Sequence, residues 1–205
     1  MVSLFQQNDL IRQCVFRAIL KAFSRPGQIF TLPEANERNE RTGSLRLVLE
    51  TLLDHEVSHC LIDADDAGQL QRAIYEAAKS PPAPLEEADF IVAACGSTHG
   101  GIHRAKRGQT EYPDLSATVI YAVESIFRGK NAPVNRVLRG PGIVDHQEFP
   151  AMEGFDCREL KALCAVNIDF PLGVDALFVD RQGLLLAAPR STRIQIKEPS
   201  WPTQR

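Results

Sequence analysis

The 205-residue chain has no apolar run approaching the roughly 20 residues that a membrane helix needs. Its start, Met1 to Gln7, lacks the basic stretch and apolar core of a secretory signal. Both absences predict a cytoplasmic protein with no membrane contact. An excess of charge is missing too: 23 Lys+Arg against 26 Asp+Glu give a formal net charge of -3. No global field therefore draws the chain to nucleic acid or acidic lipid, and any anion site must be local. The five cysteines (Cys14, Cys60, Cys95, Cys157, Cys164) are odd in number and form no C-x-x-C, so neither a disulfide framework nor a zinc knuckle is indicated. They read as reduced thiols, with Cys157 and Cys164, seven apart on one helical face, expected to pack as small hydrophobes. Also absent are G-x-x-x-x-G-K-[ST], a dinucleotide fingerprint after Gly140-Pro141-Gly142, a cluster-binding cysteine run and G-x-S-x-G. Phosphate loops, iron–sulfur chemistry and a serine nucleophile thus have no signature here.

What is present is an ordinary soluble composition, 44% hydrophobic and 24% charged, sized for one core. Residues 1–198 read as a single domain and 199–205, with the only tryptophan, as a loose tail. Asn8 or Asp9 caps a first helix whose apolar residues Leu10, Ile11, Cys14, Val15, Ala18, Ile19 and Ala22 recur at three and four; Ser24-Arg25-Pro26-Gly27 stops it. A short strand over Gln28 to Leu32 precedes a polar loop, Glu34 to Gly43. From Ser44 the stripe Leu45, Val48, Leu49, Leu52, Leu53 is helical, and Glu56 to Ile62 reads equally as strand or as continued helix. Asp65 and Asp66 are cap candidates for a helix carrying Leu70, Ala73, Ile74, Ala77 and Ala78, ended by Pro81-Pro82.

Phe90 to Cys95 and Ala117 to Val123 are compact apolar strands, Val134 to Leu138 is another, and Asp156 to Ala165 is a helix. The chain ends in three strands, Val174 to Val179, Leu184 to Ala188 and Thr192 to Ile196, in hairpin-like succession. Early alternation of helix and strand with late antiparallel strands predicts an α/β fold whose sheet, flanked by helices, is mixed.

Two patterns bear chemistry. His55-Glu56-Val57-Ser58-His59 matches H-E-x-x-H formally. On a helix its imidazoles would lie one turn apart and could hold Zn²⁺ while Glu56 activated a bound water, with Glu76 as the third ligand of a zinc-dependent hydrolase. On a strand they would stand about 13 Å apart and could share no metal. A second pair, His99 and His103, encloses Gly100 and Gly101 and reads as a surface loop. The other pattern is Pro189-Arg190-Ser191-Thr192-Arg193, where guanidinium forks beside two hydroxyls suit a phosphate or carboxylate. Its plain structural reading is a strand connection with arginines in surface ion pairs.

Six stretches in order resemble one family, the PhnH subunit of bacterial carbon–phosphorus lyase. They are Phe16-Arg17-Ala18-Ile19-Leu20-Lys21-Ala22-Phe23-Ser24-Arg25-Pro26-Gly27, Leu52-Leu53-Asp54, Tyr112-Pro113 with Ala117-Thr118, Gly140-Pro141-Gly142-Ile143, Phe170-Pro171-Leu172-Gly173-Val174-Asp175, and Ala188-Pro189-Arg190-Ser191-Thr192. The resemblance implies a fold like that of the PLP-dependent transferases but without PLP or another cofactor. It implies a homodimer that assembles with the G, I and J subunits (PhnG, PhnI, PhnJ). With PhnG, PhnI and PhnL, such a chain replaces the adenine of ATP by an alkylphosphonate such as methylphosphonate, giving a ribose 1-phosphonate 5-triphosphate; the J subunit cuts the C–P bond later. The family assigns no catalytic residue to this chain, which is expected to be a structural or accessory subunit. Should the chain touch substrate, Arg190, Ser191 and Thr192 are the expected anion contacts, Gly140, Pro141 and Gly142 shape the adjacent turn, and Asp175 orders the region. Phe170 and Leu172 are expected to be buried, in the core or a dimer interface. The family also places a strand after its leucine-rich helix, which argues against zinc at His55 and His59.

Overall fold

Period-two burial in a six-stranded mixed sheet organises the computed structural model, which describes residues 4–33, 43–62, 67–127 and 136–196. Helix α1 (Leu4–Ser24) leads into β1 (Phe30–Thr31); α2 (Gly43–Leu52), β2 (His59–Ile62), α3 (Ala67–Ala78), β3 (Phe90–Ala93) and β4 (Thr118–Val123) follow. Short strands β5 (Ser125–Ile126), β6 (Arg136–Arg139), β7 (Gln147–Glu148) and β8 (Met152–Glu153) precede α4 (Arg158–Val166), β9 (Asp175–Asp180), β10 (Leu184–Ala188) and β11 (Arg193–Ile196). The main sheet runs β1-β10-β9-β4-β3-β2. Strands β2, β3, β4 and β9 are parallel, while β10 is antiparallel to both β9 and β1.

Successive side chains of a strand point to opposite faces, and the two faces are covered differently. Val92, Ile120, Leu177, Val179 and Leu185 pack under α1, α2 and α3, through Val15, Ile19, Val48, Leu49 and Ile74. On the other face Ile91, Val119, Tyr121, Phe178 and Leu186 meet Leu160 and Leu163 of α4, with Leu138 of β6 and Phe149. Tyr121 stacks on Phe178 at 5.1 Å, and Phe155 meets both rings edge-on. Each fully buried aliphatic or aromatic side chain contributes about 1.5–3 kcal/mol.

The mixed α/β architecture is as the sequence predicts; several details differ. The first helix begins at Leu4, ahead of Asn8 and Asp9, because Gln6, Gln7 and Asn8 cost a helix only a few tenths of a kcal/mol each. Its buried face is Val15, Ile19 and Ala22, while Leu10 and Cys14 stay exposed. None of the cysteines is fully buried: Cys157 is exposed before α4, and Cys164, half-buried, donates to the Ile194 carbonyl at 3.3 Å. The three last strands are not one succession. β9 and β10 form a hairpin, whose turn Asp180 organises by accepting from the Gln182 and Leu184 amides. β11 instead leaves for a second sheet, β11-β6-β7. Pro189 has no N–H to extend the ladder, and the Thr192 amide closes a turn on the Pro189 carbonyl that redirects the chain. Asp65, Asp66, most of the 34–43 loop, Val134 and the 199–205 tail lie outside the described residues.

Candidate functional site

Four turns from distant parts of the chain meet at the edge of the sheet where the parallel strands begin. Ser24 closes α1, Gly140-Pro141-Gly142 follows β6, Phe170 precedes β9 and Pro189-Arg190-Ser191 follows β10. They enclose an open cleft of about 400 Å³ lined by Phe23, Ser24, Pro141, Gly142, Phe170, Asp175, Pro189, Arg190 and Ser191. That volume suits a small organic ligand. Glycine makes the convergence possible at two positions. A Cβ on Gly142 (φ +81°) would lie 2.3 Å from the Ser24 carbonyl oxygen, and one on Gly140 (φ +147°) 2.8 Å from that of Ser191. Only glycine accepts both the conformation and the approach.

Arg190 is held from two sides. Its backbone amide donates to Asp175 Oδ1 at 2.8 Å, and one terminal nitrogen of its guanidinium donates to the Pro113 carbonyl at 2.7 Å and to the Ser116 hydroxyl. The Nε–H and the second terminal nitrogen have no partner among the described residues, nor has the Ser191 hydroxyl. Ser24 spends its proton on the Lys21 carbonyl. The cleft thus offers guanidinium and hydroxyl donors on one wall, the Asp175 carboxylate as acceptor beside them, and apolar surface from Phe23, Phe170 and two prolines. A fixed guanidinium edge beside a hydroxyl can grip a tetrahedral oxyanion, while Asp175 can accept from a ligand hydroxyl.

Of the residues singled out from sequence, Pro141, Gly142, Asp175, Arg190 and Ser191 line the cleft; Gly140 and Thr192 lie behind it. Thr192 is buried and its hydroxyl has no hydrogen-bond partner among the described residues. Phe170 does not belong to the core of the chain, the first of the two places expected for it: it is 61% exposed on the cleft wall, in the surface turn between α4 and β9, and Leu172 is half-buried. Ser116 and Pro113, which fix Arg190, escaped the sequence reading, although Tyr112-Pro113 stood among the recognisable stretches.

The zinc pattern does not assemble. Helix α2 ends at Leu52, His55 lies in a turn, and His59 opens β2, so no helix carries both imidazoles. His59 is fully buried and satisfied: Ser80 Oγ donates to the Val57 carbonyl at 2.6 Å and accepts from His59 Nδ1 at 2.8 Å. The Gln71 amide then donates to Nε2 at 3.0 Å. Burial lowers the His59 pKa; the Gln71 carbonyl oxygen, 3.3 Å from Nε2, would accept from a protonated ring and offsets part of that. No group of three His, Cys, Asp or Glu side chains able to hold a metal occurs among the described residues. His99 precedes a left-handed Gly100, and His103 lies within one short 3₁₀ turn, Gly101–Arg104, as the loop reading expects.

A second polar cluster lies beyond the C-terminal end of β3, and it is sealed. Glu159, 2% exposed, accepts from the Thr98 amide at 2.9 Å, the Ser97 hydroxyl at 3.1 Å, the Thr98 hydroxyl at 2.8 Å and the Tyr121 phenol at 2.7 Å. Burial, reinforced by this carboxyl, pushes the Tyr121 pKa well above that of a free phenol. Every polar atom of the cluster has a protein partner, so the arrangement serves the fold.

By fold and cleft the protein is a mixed α/β protein with an open surface cleft built from turns. Residues 4–195 match the family model described as "Bacterial phosphonate metabolism protein (PhnH)", and the chain belongs to that family. It is 31% identical over 186 residues to "Putative C-P lyase subunit protein HtxG" of Stutzerimonas stutzeri, covering 91% of this chain and 87% of that protein. It is 29% identical over 188 residues to "Alpha-D-ribose 1-methylphosphonate 5-triphosphate synthase subunit PhnH" of Rhizobium meliloti (strain 1021), covering 89% and 90%. The turns that line the cleft are the stretches by which the sequence resembles the family. No helix among the described residues is long and apolar enough to cross a membrane.

Proposed function

We propose that this chain is a subunit of a carbon–phosphorus lyase system. It acts with the G, I and L subunits to transfer the ribose 5-triphosphate unit of ATP to an alkylphosphonate such as methylphosphonate. The glycosidic C–N bond breaks, adenine leaves, and a phosphonate oxygen bonds to the ribose. The names of both relatives support this reading. The observation that carries a direct role is the cleft, where Arg190 is fixed by Pro113 and Ser116 with its second edge unspent. There Arg190 and Ser191 take an oxyanion of substrate, and Asp175 orders Arg190 through its amide. Asp175 is the one carboxylate among the described residues that line the cleft, and we assign the chain a binding and assembly role. The rest of the proposal is a cytoplasmic homodimer, built on a PLP-transferase-like fold without PLP, that also joins the J subunit.

The test is turnover of ATP and methylphosphonate by the purified subunits, followed as adenine release. Omitting this chain abolishes turnover, and Arg190→Gln in an intact complex lowers it at least tenfold. Full turnover by an assembled Arg190→Gln complex removes the binding role; full turnover without the chain removes the proposal.

A further inference from the structure

The charge of the cleft does not match a doubly charged ligand. Arg190 is the one cation among the described residues that line it and Asp175 the one carboxylate, so the lining carries no net charge. A tetrahedral oxyanion bearing two charges, whether an alkylphosphonate or the terminal phosphate of a nucleotide, needs at least one further cation.

Arg107 is tied to Arg190 at both ends of the Arg190 side chain. At the backbone end, the Arg107 carbonyl accepts from the Gly173 amide at 3.0 Å, and a Cβ added to Gly173 would stand 3.2 Å from Arg190 Cβ. At the head, Arg190 donates to the Ser116 hydroxyl, and Ser116 faces Arg107 in an antiparallel bridge. The Ala117 amide donates to the Lys106 carbonyl at 2.9 Å, which makes Arg107 and Ser116 a non-hydrogen-bonded pair, the kind whose side chains stand closest. Side chains so opposed leave on the same face, their Cβ atoms about 4.5–5.5 Å apart. The stem of Arg107 therefore rises beside the hydroxyl that holds Arg190.

Its charge is unspent as well. Two neighbours on its segment are paired, Arg104 with Glu86 at 2.8 Å and Lys106 with Asp89. Arg107 is exposed, and its guanidinium has no partner among the described residues. Carboxylates are near: Glu111 and Asp114 lie on the opposite arm of the bridge and Asp169 in the turn before Gly173. All three are exposed, and none pairs with the guanidinium of Arg107 or Arg190. Solvated charges of that kind are screened and compete weakly with a ligand that two guanidinium edges grip. Asp175 spends one oxygen on the Arg190 amide.

We propose that Arg107 is the second cation of this site: it closes over Ser116 and, with Arg190, clamps a doubly charged tetrahedral oxyanion, so the cleft favours dianions over singly charged groups. This rests on the reading of the cleft as an anion site and adds the residue that sets its charge preference. Arg190, held by Pro113 and Ser116, supplies a fixed edge. Arg107 supplies a free one that comes in with the ligand.

The experiment uses the assembled complex, with adenine release from ATP and methylphosphonate as the readout. Arg107→Gln raises a KM about tenfold, the loss of one charge-assisted contact, with kcat little changed. Arg107→Lys keeps the charge and stays within about threefold of the parent. A rise confined to the KM for methylphosphonate names the phosphonate as the clamped dianion, and a rise confined to that for ATP names the triphosphate; either supports the clamp. A second measurement needs no variant: phenylglyoxal labels Arg107 in the parent complex, read by mass spectrometry, and saturating substrate protects it. An unchanged KM in Arg107→Gln, a lysine variant no better than the glutamine one, or labelling of Arg107 that substrate does not slow overturns the proposal. If Arg190→Gln loses turnover while Arg107→Gln keeps the parent KM, the cleft remains an anion site and only the clamp falls. If Arg190→Gln keeps full turnover, both fall.

Discussion

Two polar regions lie at opposite edges of the same parallel strands, and they differ in what is left unspent. At Glu159 a carboxyl is surrounded by donors that all belong to the protein: Ser97, Thr98 and Tyr121. At the cleft, Arg190 spends one nitrogen on Pro113 and Ser116 and keeps the other donors of its guanidinium. A buried polar group is costly unless satisfied, so the first arrangement serves the fold. The second exposes donors that water satisfies equally well, so holding them in place stabilises little and is useful for a ligand. Polarity alone does not separate a site from a structural network; unspent hydrogen-bonding capacity in an open space does.

The strongest challenge to this contrast is Glu159→Ala. It strands the Thr98 amide and the Tyr121 phenol in the core, and each buried unsatisfied group costs about 1–3 kcal/mol. A loss of about 2–6 kcal/mol in denaturant unfolding is expected from the two groups together. A loss below about 1 kcal/mol would mean that water enters the cluster and that it is not sealed. Gly142→Ala acts on the cleft, forcing a Cβ toward the Ser24 carbonyl from a left-handed backbone, and should cost about 1–3 kcal/mol. Because it pries the α1 terminus from the Gly140–Gly142 turn, it should also weaken phosphonate-dependent turnover of the assembled complex. Stability lost with turnover unchanged would detach the turn from function.

The smallest expected effect concerns His59, another sealed group. Its folded pKa lies below the usual histidine value of about 6.5, chiefly through burial. The unfolded chain therefore binds the proton more readily. Stability from this group is full above pH 6.5 and declines as the pH falls from there toward the folded pKa. In His59→Gln that acid limb should flatten, as measured by melting temperature between pH 5 and 7.5. An unchanged limb would place the acid sensitivity elsewhere.

Much of this was legible beforehand. The stripe of α2 and the apolar runs of β3 and β4 announce themselves because burial on one or two faces imposes a period. The turns that line the cleft were recognisable as turns, since glycine and proline at Gly140-Pro141-Gly142 and Ser24-Arg25-Pro26-Gly27 restrict the backbone locally. The fate of His55 and His59 was not legible in their own letters, which fit helix and strand; the family resemblance favoured a strand, and the pairing of β2 with β3 decides it. Phe170 was open for a similar reason. A phenylalanine before Pro-Leu-Gly reads as core or as interface, and the fold excludes the core by putting its turn on the surface.

By itself the sequence determined the α/β class, the absence of a global field, the local shape of each turn and the family resemblance, because all of these depend on residue type and short-range spacing. Tertiary structure alone decided that Ser24, Gly142, Asp175 and Arg190, separated by as much as the length of the main sheet's chain path, share one cleft. It also decided that Pro113 and Ser116 occupy one terminal nitrogen of Arg190 and that β11 departs for the second sheet. Hydrogen bonds between distant residues have no period and leave no local trace, so only the folded chain reveals which donors remain free.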